Sequence, residues 1–183
     1  MLTKEKLVTY DDYLTLPDDG NRYEIIGGEL YMSPSPSTIH QRISLKLSTH
    51  LNEYIGKKNL GEIFVAPLDV VLSMTDVVQP DLLFITNERS QIISKKNIIA
   101  APDLIIEILS ESTEAIDRNR KKKLYEKHKV KEYWIVAPDE KQLEQYILGG
   151  DCYQEKKVFK QSEILTSQVV SGFKFPLEKV FAN

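Results

Sequence analysis

The stretch PDLIIEILSESTEAIDRNRKKKLYEKHKVKEYW, which runs from Pro102 to Trp134, decides the fold. Its first part is a short, β-branched apolar run, which is typical of a buried central strand. A lysine-rich segment from Asp117 to His128 is predicted to form a helix, and residues 133–136 resume the pattern of a strand. The order strand, helix, strand predicts a βαβ unit, in which a helix joins two parallel strands.

One carboxylate, Glu107, interrupts the apolar run of the first predicted strand. An unpaired carboxylate is costly in an apolar interior, so we expect Glu107 to be protonated, paired or bound to a cation. A second acid, Asp81, follows Pro80 where the apolar run of residues 82–85 enters the core. Alone, Asp81 would be interpreted as a turn residue. If the two strands are neighbours, the acids converge, and a hard cation such as Mg²⁺ or Mn²⁺ relieves their repulsion.

Lysine supplies a third member of this candidate site. Lys121 lies four residues after Asp117 and four before Tyr125, so the three share one face of the predicted helix. An ammonium group near two carboxylates could position a water molecule or stabilise charge on a phosphate. Tyr125 and Trp134 are expected to pack the βαβ unit. Three other lysines are interpreted as a solvated helix face, with phosphate contact as the alternative: Lys122, Lys123 and Lys127.

Length and composition limit the class of protein. The 183 residues are expected to form a single domain spanning residues 1–183. The only cysteine, Cys152, excludes a disulfide framework and a cysteine zinc cage, and it favours a reducing cytoplasm. The sequence contains no run of about 18 apolar residues, so no contact with a membrane is predicted. The net charge of −3 argues against general coating of polyanions, so a nucleic-acid partner would need a local basic patch.

The rest of the chain predicts strands and helices around this unit. Before it, the sequence predicts a short helix capped by Thr9, a hairpin of Arg22 to Ile26 and Glu29 to Ser33, and a long helix from Ser37 or Thr38 to Gly56. Two strands are then predicted, from Gly61 to Leu72 and from Val77 to Ile85. After the unit, it predicts a hairpin of Leu143 to Leu148 and Cys152 to Val158, and a tail from Ile164 to Phe181 with one strand and a helical turn at Pro176. They predict a mixed α/β fold with a central β-sheet, flanking helices and added hairpins. Its centre is expected to be the strands of Asp81 and Glu107.

Several segments, in this order and spacing, resemble one family. They are RYEIIGGEL (Arg22 to Leu30), the pair His40-Gln41, QPDLLFI (Gln79 to Ile85), PDLIIEILS (Pro102 to Ser110), the series Asp117, Lys121 and Tyr125, and VKEYWIV (Val130 to Val136). The chain is thereby identified as a member of the PD-(D/E)XK nuclease superfamily, in its bacterial group of restriction endonuclease-like domains. The resemblance covers nearly the whole chain.

The resemblance implies a fold and an activity. It implies a restriction endonuclease-like mixed sheet and an endonuclease that hydrolyses DNA phosphodiester bonds with Mg²⁺ or Mn²⁺ as cofactor. Asp81 and Glu107 would be catalytic residues that bind the metal, and Lys121 would assist the nucleophile. The superfamily lysine is expected two residues after Glu107, where this chain has Leu109, and Lys121 matches its displaced position on the following helix. A homodimer is expected, because cutting both strands usually takes two active sites.

Other expectations remain open at this point. Two residues are candidate site members: Glu24 could instead be an exposed strand carboxylate, and His40 a core or capping histidine. Asp103 is the rival ligand if the pairing is wrong, and Asp69, in the strand before Asp81, is a more distant candidate. Two further residues depart from the family pattern, Glu111 in place of proline and Lys129 in place of glycine. The alternative function is a catalytically inactive nucleic-acid-binding module, and a structural oligomer subunit ranks last.

Overall fold

The structure, a computed structural model, describes residues 7–17 and 19–182 and has the predicted mixed α/β architecture. The strands of its central sheet are β3 (Gly61–Val65), β6 (Leu82–Thr86), β7 (Leu104–Ile108), β8 (Glu132–Ala137), β9 (Gln142–Gly149), β10 (Cys152–Tyr153) and β11 (Lys157–Lys160). Their order is β10-β9-β8-β7-β6-β3, and β11 also pairs with β9. The central position expected for the strands of Asp81 and Glu107 is confirmed, because β6 and β7 are inner neighbours.

A smaller sheet lies beside the central one. Its strands are β1 (Arg22–Ile26), β2 (Glu29–Ser33), β4 (Val70–Ser73) and β5 (Asp76–Val78), in the order β2-β1-β5-β4. The predicted hairpin is confirmed, since β1 and β2 pair antiparallel around Gly27 and Gly28. Both glycines have positive φ, at 62° and 79°, which non-glycine residues rarely adopt.

Helices cover the sheets. They are α1 (Tyr10–Tyr13), α2 (Thr38–Lys58), α3 (Lys122–Lys127) and α4 (Glu178–Phe181), with a 3₁₀ turn over Asn87–Ile92. The predicted caps are confirmed: Thr9 forms a capping box with Asp12, and the Ser37 hydroxyl accepts from the amide of His40 at the start of α2. Among the described residues, no helix has both the length and the apolar character needed to cross a lipid bilayer.

The predicted βαβ unit is confirmed, with one local difference. Strands β7 and β8 are parallel neighbours, and α3 lies between them in the chain. The helical segment contains a π-helical turn over Ile116–Lys121, directly before α3. Such turns are rare and are often found at functional sites. The four-residue face is kept, since Asp117, Lys121 and Tyr125 are all buried.

Two predicted strands were wrong as single elements. The run from Gly61 to Leu72 forms β3 and β4, and the run from Val77 to Ile85 forms β5 and β6. Each break coincides with a proline, Pro67 or Pro80, which has no N–H to donate to a strand partner. At each break the chain passes from one sheet to the other.

Two other segments are also divided further than predicted. The run from Cys152 to Val158 forms β10 and then β11, which pair with different parts of β9. The tail forms two antiparallel strands, β12 (Ile164–Thr166) and β13 (Lys174–Pro176), before α4. A single predicted strand therefore underestimated the tail, because strands of two to four residues leave little periodicity in a sequence.

The side chains of β7 alternate between two apolar layers. Ile106 and its strand neighbours on the same face pack against α2 and the C-terminal tail. Ile105 faces the opposite layer, which includes Tyr125 of α3 and Val78 of the smaller sheet. Glu107 shares this second face by the alternation of a strand. It therefore points toward the helix that carries Lys121.

Candidate active site

Asp81 and Glu107 lie opposite each other on neighbouring strands. The antiparallel register of β6 and β7 pairs Leu82 with Ile106, which places Asp81, one residue before β6, across from Glu107. Opposite residues of an antiparallel pair point to the same face of the sheet. Both side chains are nearly buried, at 10% and 4% exposure. The convergence of the two acids predicted from the sequence is present.

Asp81 is oriented by two partners. The backbone N–H of Ile108 donates to Oδ2 of Asp81 at 2.8 Å, and Nε2 of His40 lies 2.9 Å from the same oxygen. Both contacts use Oδ2, and no side chain or amide of the described residues donates to Oδ1, which is therefore open to another ligand. His40 is buried in the first turn of α2, and its Nδ1 has no hydrogen-bond partner within the described residues. The structure thus places His40 beside Asp81, as the site hypothesis for this residue requires.

Lys121 lies among three carboxylates. Its Nζ is 3.0 Å from Oε2 of Glu24, 3.1 Å from Oε1 of Glu107 and 3.5 Å from Oδ1 of Asp117. Burial alone would lower the pKa of the Lys121 ammonium, but these three carboxylates raise it well above its ordinary value. The three carboxylates therefore favour the charged form of Lys121, which suits the role of a cation better than that of a base.

Glu107 also accepts a hydrogen bond from a tyrosine. The hydroxyl of Tyr125 donates to Oε1 of Glu107 at 2.6 Å, so Tyr125 does more than pack the βαβ unit. Burial raises the pKa of Glu107 well above its ordinary value; Lys121 lowers it, and the acids Asp117, Asp81 and Glu24 raise it further. Both hydrogen bonds to Glu107 use Oε1, and among residues 7–17 and 19–182 none donates to Oε2, so this oxygen could face a cation.

Glu24 is buried, which removes the interpretation of an exposed strand carboxylate. Its Oε1 accepts from the backbone N–H of Gln79 at 2.7 Å, while Oε2 contacts Lys121. The side chain of Gln79 donates to Asp69 at 2.8 Å. Asp69 lies in the loop before β4, so its predicted position in a strand was wrong. Its oxygen also accepts from the hydroxyl of Tyr13 at 2.8 Å, which gives Asp69 a local structural role.

Asp117 joins the site as a residue whose role the sequence did not reveal. It is 2% exposed and lies beside Lys121. Burial raises its pKa, although Lys121 counteracts this effect. The signal in the sequence was the four-residue spacing to Lys121, but an acid within a basic helical run looks like an ordinary surface ion pair.

The rival ligand Asp103 lies elsewhere. It accepts from the amide of Thr86 and forms ion pairs with Arg89 and Lys131, at 3.1 and 2.7 Å. These contacts anchor the start of β7, as expected for a residue that marks the beginning of the strand.

The other lysines of the segment also differ from Lys121. Lys127 pairs with Asp76 at 2.8 Å, and the ammonium of Lys122 lies 4.4 Å from the ring centre of Tyr146. Lys123 is exposed, in agreement with a solvated face.

A cavity of about 520 Å³ opens onto the site. Asp81, Glu107, Asp117 and Lys121 line its floor, and the segment of residues 33–37 lines one side together with His40. Ligand sites of small molecules occupy roughly 300–1,000 Å³. The cavity is therefore large enough for a substrate group of the size of a nucleotide to contact the acids and the lysine.

The donor set fits a hard divalent cation held by few protein ligands. In the described ranges, no cluster of three or more His, Cys, Asp and Glu side chains is arranged to hold a metal ion. Mg²⁺ needs only one or two carboxylates, since it keeps several waters and binds phosphate oxygens. Oδ1 of Asp81 and Oε2 of Glu107 are oxygens of this kind on opposed side chains. The residues present fit Mg²⁺ or Mn²⁺ better than zinc.

Comparisons with known proteins agree with this architecture. The fold matches the crystal structure of a protein described as a putative nuclease belonging to DUF820 from Anabaena variabilis, with a TM-score of 0.81, 22% identity, and coverage of 95% of this chain and 97% of that one. Two similar proteins of Synechocystis sp. are the uncharacterized proteins sll1609, 28% identical over 80% of this chain and 84% of its own length, and slr1290, 27% identical over 71% and 68%.

A family model gives the assignment. Residues 10–178 match the model of Uma2, described as "Putative restriction endonuclease". The match spans all the residues that form the candidate site, from Glu24 to Tyr125. It agrees with the resemblance of the sequence to the restriction endonuclease-like branch of the PD-(D/E)XK superfamily. The chain therefore belongs to the Uma2 family of putative restriction endonucleases.

Proposed function

We propose that this protein is an endonuclease that hydrolyses phosphodiester bonds of DNA with the help of Mg²⁺ or Mn²⁺. The observation that carries the proposal is the pair of opposed acids, Asp81 and Glu107, next to a buried lysine at the floor of an open cavity. A structural core has no need of three buried carboxylates around one ammonium, because apolar residues of similar volume are as stable.

The reaction requires a nucleophile and charge stabilisation. A water oxygen forms a bond to phosphorus, and the bond from phosphorus to one ester oxygen breaks, with that oxygen taking up a proton. Asp81 and Glu107 would hold the cation through Oδ1 and Oε2. When bound, the cation supplies a Lewis acid that makes water a better nucleophile and offsets the charge of the phosphate.

The other side chains position these groups. Lys121 stays protonated and can orient the attacking water or stabilise negative charge on the phosphate. Glu24 holds the ammonium of Lys121, and His40 holds the carboxylate of Asp81. Cutting both strands of a duplex takes two such sites, so a homodimer is part of the proposal.

The test is nicking of supercoiled plasmid during a titration of Mg²⁺ and of Mn²⁺. We expect cleavage by the parent protein, none with EDTA, and a loss of at least about 100-fold in Asp81→Asn and in Glu107→Gln. Glu53→Gln, an exposed acid on α2, is the matched control and should cut like the parent.

Two results would contradict the proposal. If Asp81→Asn cleaved plasmid at the parent rate, Asp81 would not be part of a catalytic metal site. If the parent protein bound DNA but did not cleave it with either ion, the chain would be an inactive nucleic-acid-binding module.

A further inference from the structure

The cleft does not end at the candidate active site. A second cavity of about 330 Å³ lies on the other side of Asp81 and His40, between α2 and the end of β3. The two cavities share the side chains of Arg22, Pro36, His40 and Asp81. The two cavities are therefore neighbours next to the candidate metal ligand Asp81, and we call them together the groove.

Arg22 lines both cavities. Arg22 is the first residue of β1 and shares a face with Glu24, two residues later. Within residues 7–17 and 19–182, Arg22 forms no ion pair, whereas Arg89 and Arg118 each bind a carboxylate. An arginine remains charged at all relevant pH values and matches phosphate oxygens with two parallel hydrogen bonds.

The walls of the second cavity are apolar with polar positions between them. Leu45 of α2 is 68% exposed and Val65 of β3 is 48% exposed, and both line the cavity. Ser44 and Ser48 of α2 also line it and offer hydroxyl groups. Exposed aliphatic side chains can pack against a sugar or the face of a base, and hydroxyl groups can form hydrogen bonds with the edge of the base.

From this arrangement we propose that the second cavity is a nucleotide subsite, and that Arg22 binds the phosphate between this nucleotide and the bond that is cut. The ligand is a nucleoside unit of a DNA strand. This proposal deepens the proposed function and rests on it, because it takes DNA as the substrate. Arg22 is in this view a positioning residue, since it holds a phosphate that does not react.

The test measures binding without cleavage. A fluorescein-labelled DNA duplex is titrated with the Glu107→Gln protein without divalent ions, and anisotropy gives Kd at several salt concentrations. Adding Arg22→Ala should raise Kd about tenfold and reduce the slope of log K against log salt by about one. Arg22→Lys keeps the positive charge, so it should leave the slope of log K against log salt unchanged. Arg42→Ala, an exposed arginine outside both cavities, should stay within about twofold.

A second pair of variants tests the cavity itself. Leu45→Glu places a negative charge in the subsite and should raise Kd about fivefold or more. Asn52→Glu makes the same change in charge two turns further along the exposed face of α2 and should have little effect. Thermal unfolding of each variant shows that the fold is kept.

The outcomes separate the two proposals. An unchanged Kd and salt slope in Arg22→Ala, or an equal loss in Arg42→Ala, overturns the subsite while plasmid cleavage stands. Absence of plasmid cleavage by the parent overturns the proposed hydrolysis, whereas the binding measurements still report on the groove.

Discussion

Nζ of Lys121 lies 3.1 Å from Oε1 of Glu107, although the two residues are 14 positions apart and belong to a helical turn and a strand. Each charge makes the burial of the other tolerable, because an unpaired ion in this interior would be strongly destabilising. The ammonium that faces Glu107 therefore comes from the helical segment, whereas Leu109, two residues after Glu107, packs in the apolar layer.

Removing the charge of Lys121 should therefore destabilise the fold. Lys121→Met keeps much of the volume and leaves the neighbouring carboxylates without their cation, so the free energy of unfolding should fall by about 3 kcal/mol. Urea denaturation measures this change, and the exposed Lys123→Met is the matched control. Mg²⁺ should raise the stability of Lys121→Met more than that of the parent, because a bound cation replaces the missing charge. Equal stability of Lys121→Met and parent would contradict the ion cluster.

His40 should affect catalysis through Asp81. His40→Ala removes the contact at 2.9 Å and leaves Asp81 free to rotate, so kcat of plasmid nicking should fall about 10- to 100-fold. The concentration of Mg²⁺ needed for half-maximal nicking should rise at the same time. His50→Ala, on the same helix but packed against Phe175, is the control and should cut like the parent. A purely structural role of His40 would instead lower thermal stability without a change in the metal requirement.

Asp76 should make the fold sensitive to acid. Burial alone would raise the pKa of Asp76, but hydrogen bonds from Lys127, the Gly27 amide, His128 and Ser73 outweigh it and lower the pKa from 3.8 to about 2. A carboxyl with a lowered folded-state pKa stabilises the fold above its unfolded pKa, and this contribution is lost as pH falls toward the folded value. Stability should therefore decline between about pH 4 and pH 2.

The variant Asp76→Asn tests this dependence. It should cost about 2 kcal/mol at neutral pH, since charged hydrogen bonds are lost, and it should flatten the decline below pH 4. Chemical denaturation at a series of pH values gives both quantities. Parallel pH profiles of Asp76→Asn and parent would show that another acid causes the decline.

Lys129 occupies a conformation that favours glycine. Its φ is 62°, and it stands where the family pattern has glycine before Val130. The left-handed conformation costs a residue with a side chain roughly 1 kcal/mol, so Lys129→Gly should raise the free energy of unfolding by up to that amount. Lys123→Gly in α3 should have the opposite effect, a loss of about 1 kcal/mol. Calorimetry compares the two, and destabilisation by Lys129→Gly would contradict the backbone argument.

Sequence reasoning reached the centre of the fold and of the site because the signals there are chemical. Glu107 within an apolar run and Asp81 at the start of another are costly in a core unless a positive charge faces them, and the structure places the two acids opposite each other. The lysine could be located by helical spacing and family resemblance. What escaped prediction was the division of long runs at Pro67 and Pro80, because strands of three to five residues do not indicate which sheet they join. Asp117 escaped because an acid four residues before a lysine in a basic helical run looks like an ordinary surface ion pair, whereas the structure buries it.

Both sheets contribute residues to the candidate active site. Glu24 and Arg22 belong to the smaller sheet, whereas Asp81 and Glu107 come from the larger one, and Lys121 bonds to acids of both. Any loosening of the contact between the sheets would separate the ammonium from one of its partners before either sheet melts. If the protein cuts DNA as proposed, this activity depends on the contact between the two sheets, and its loss on warming should precede global unfolding.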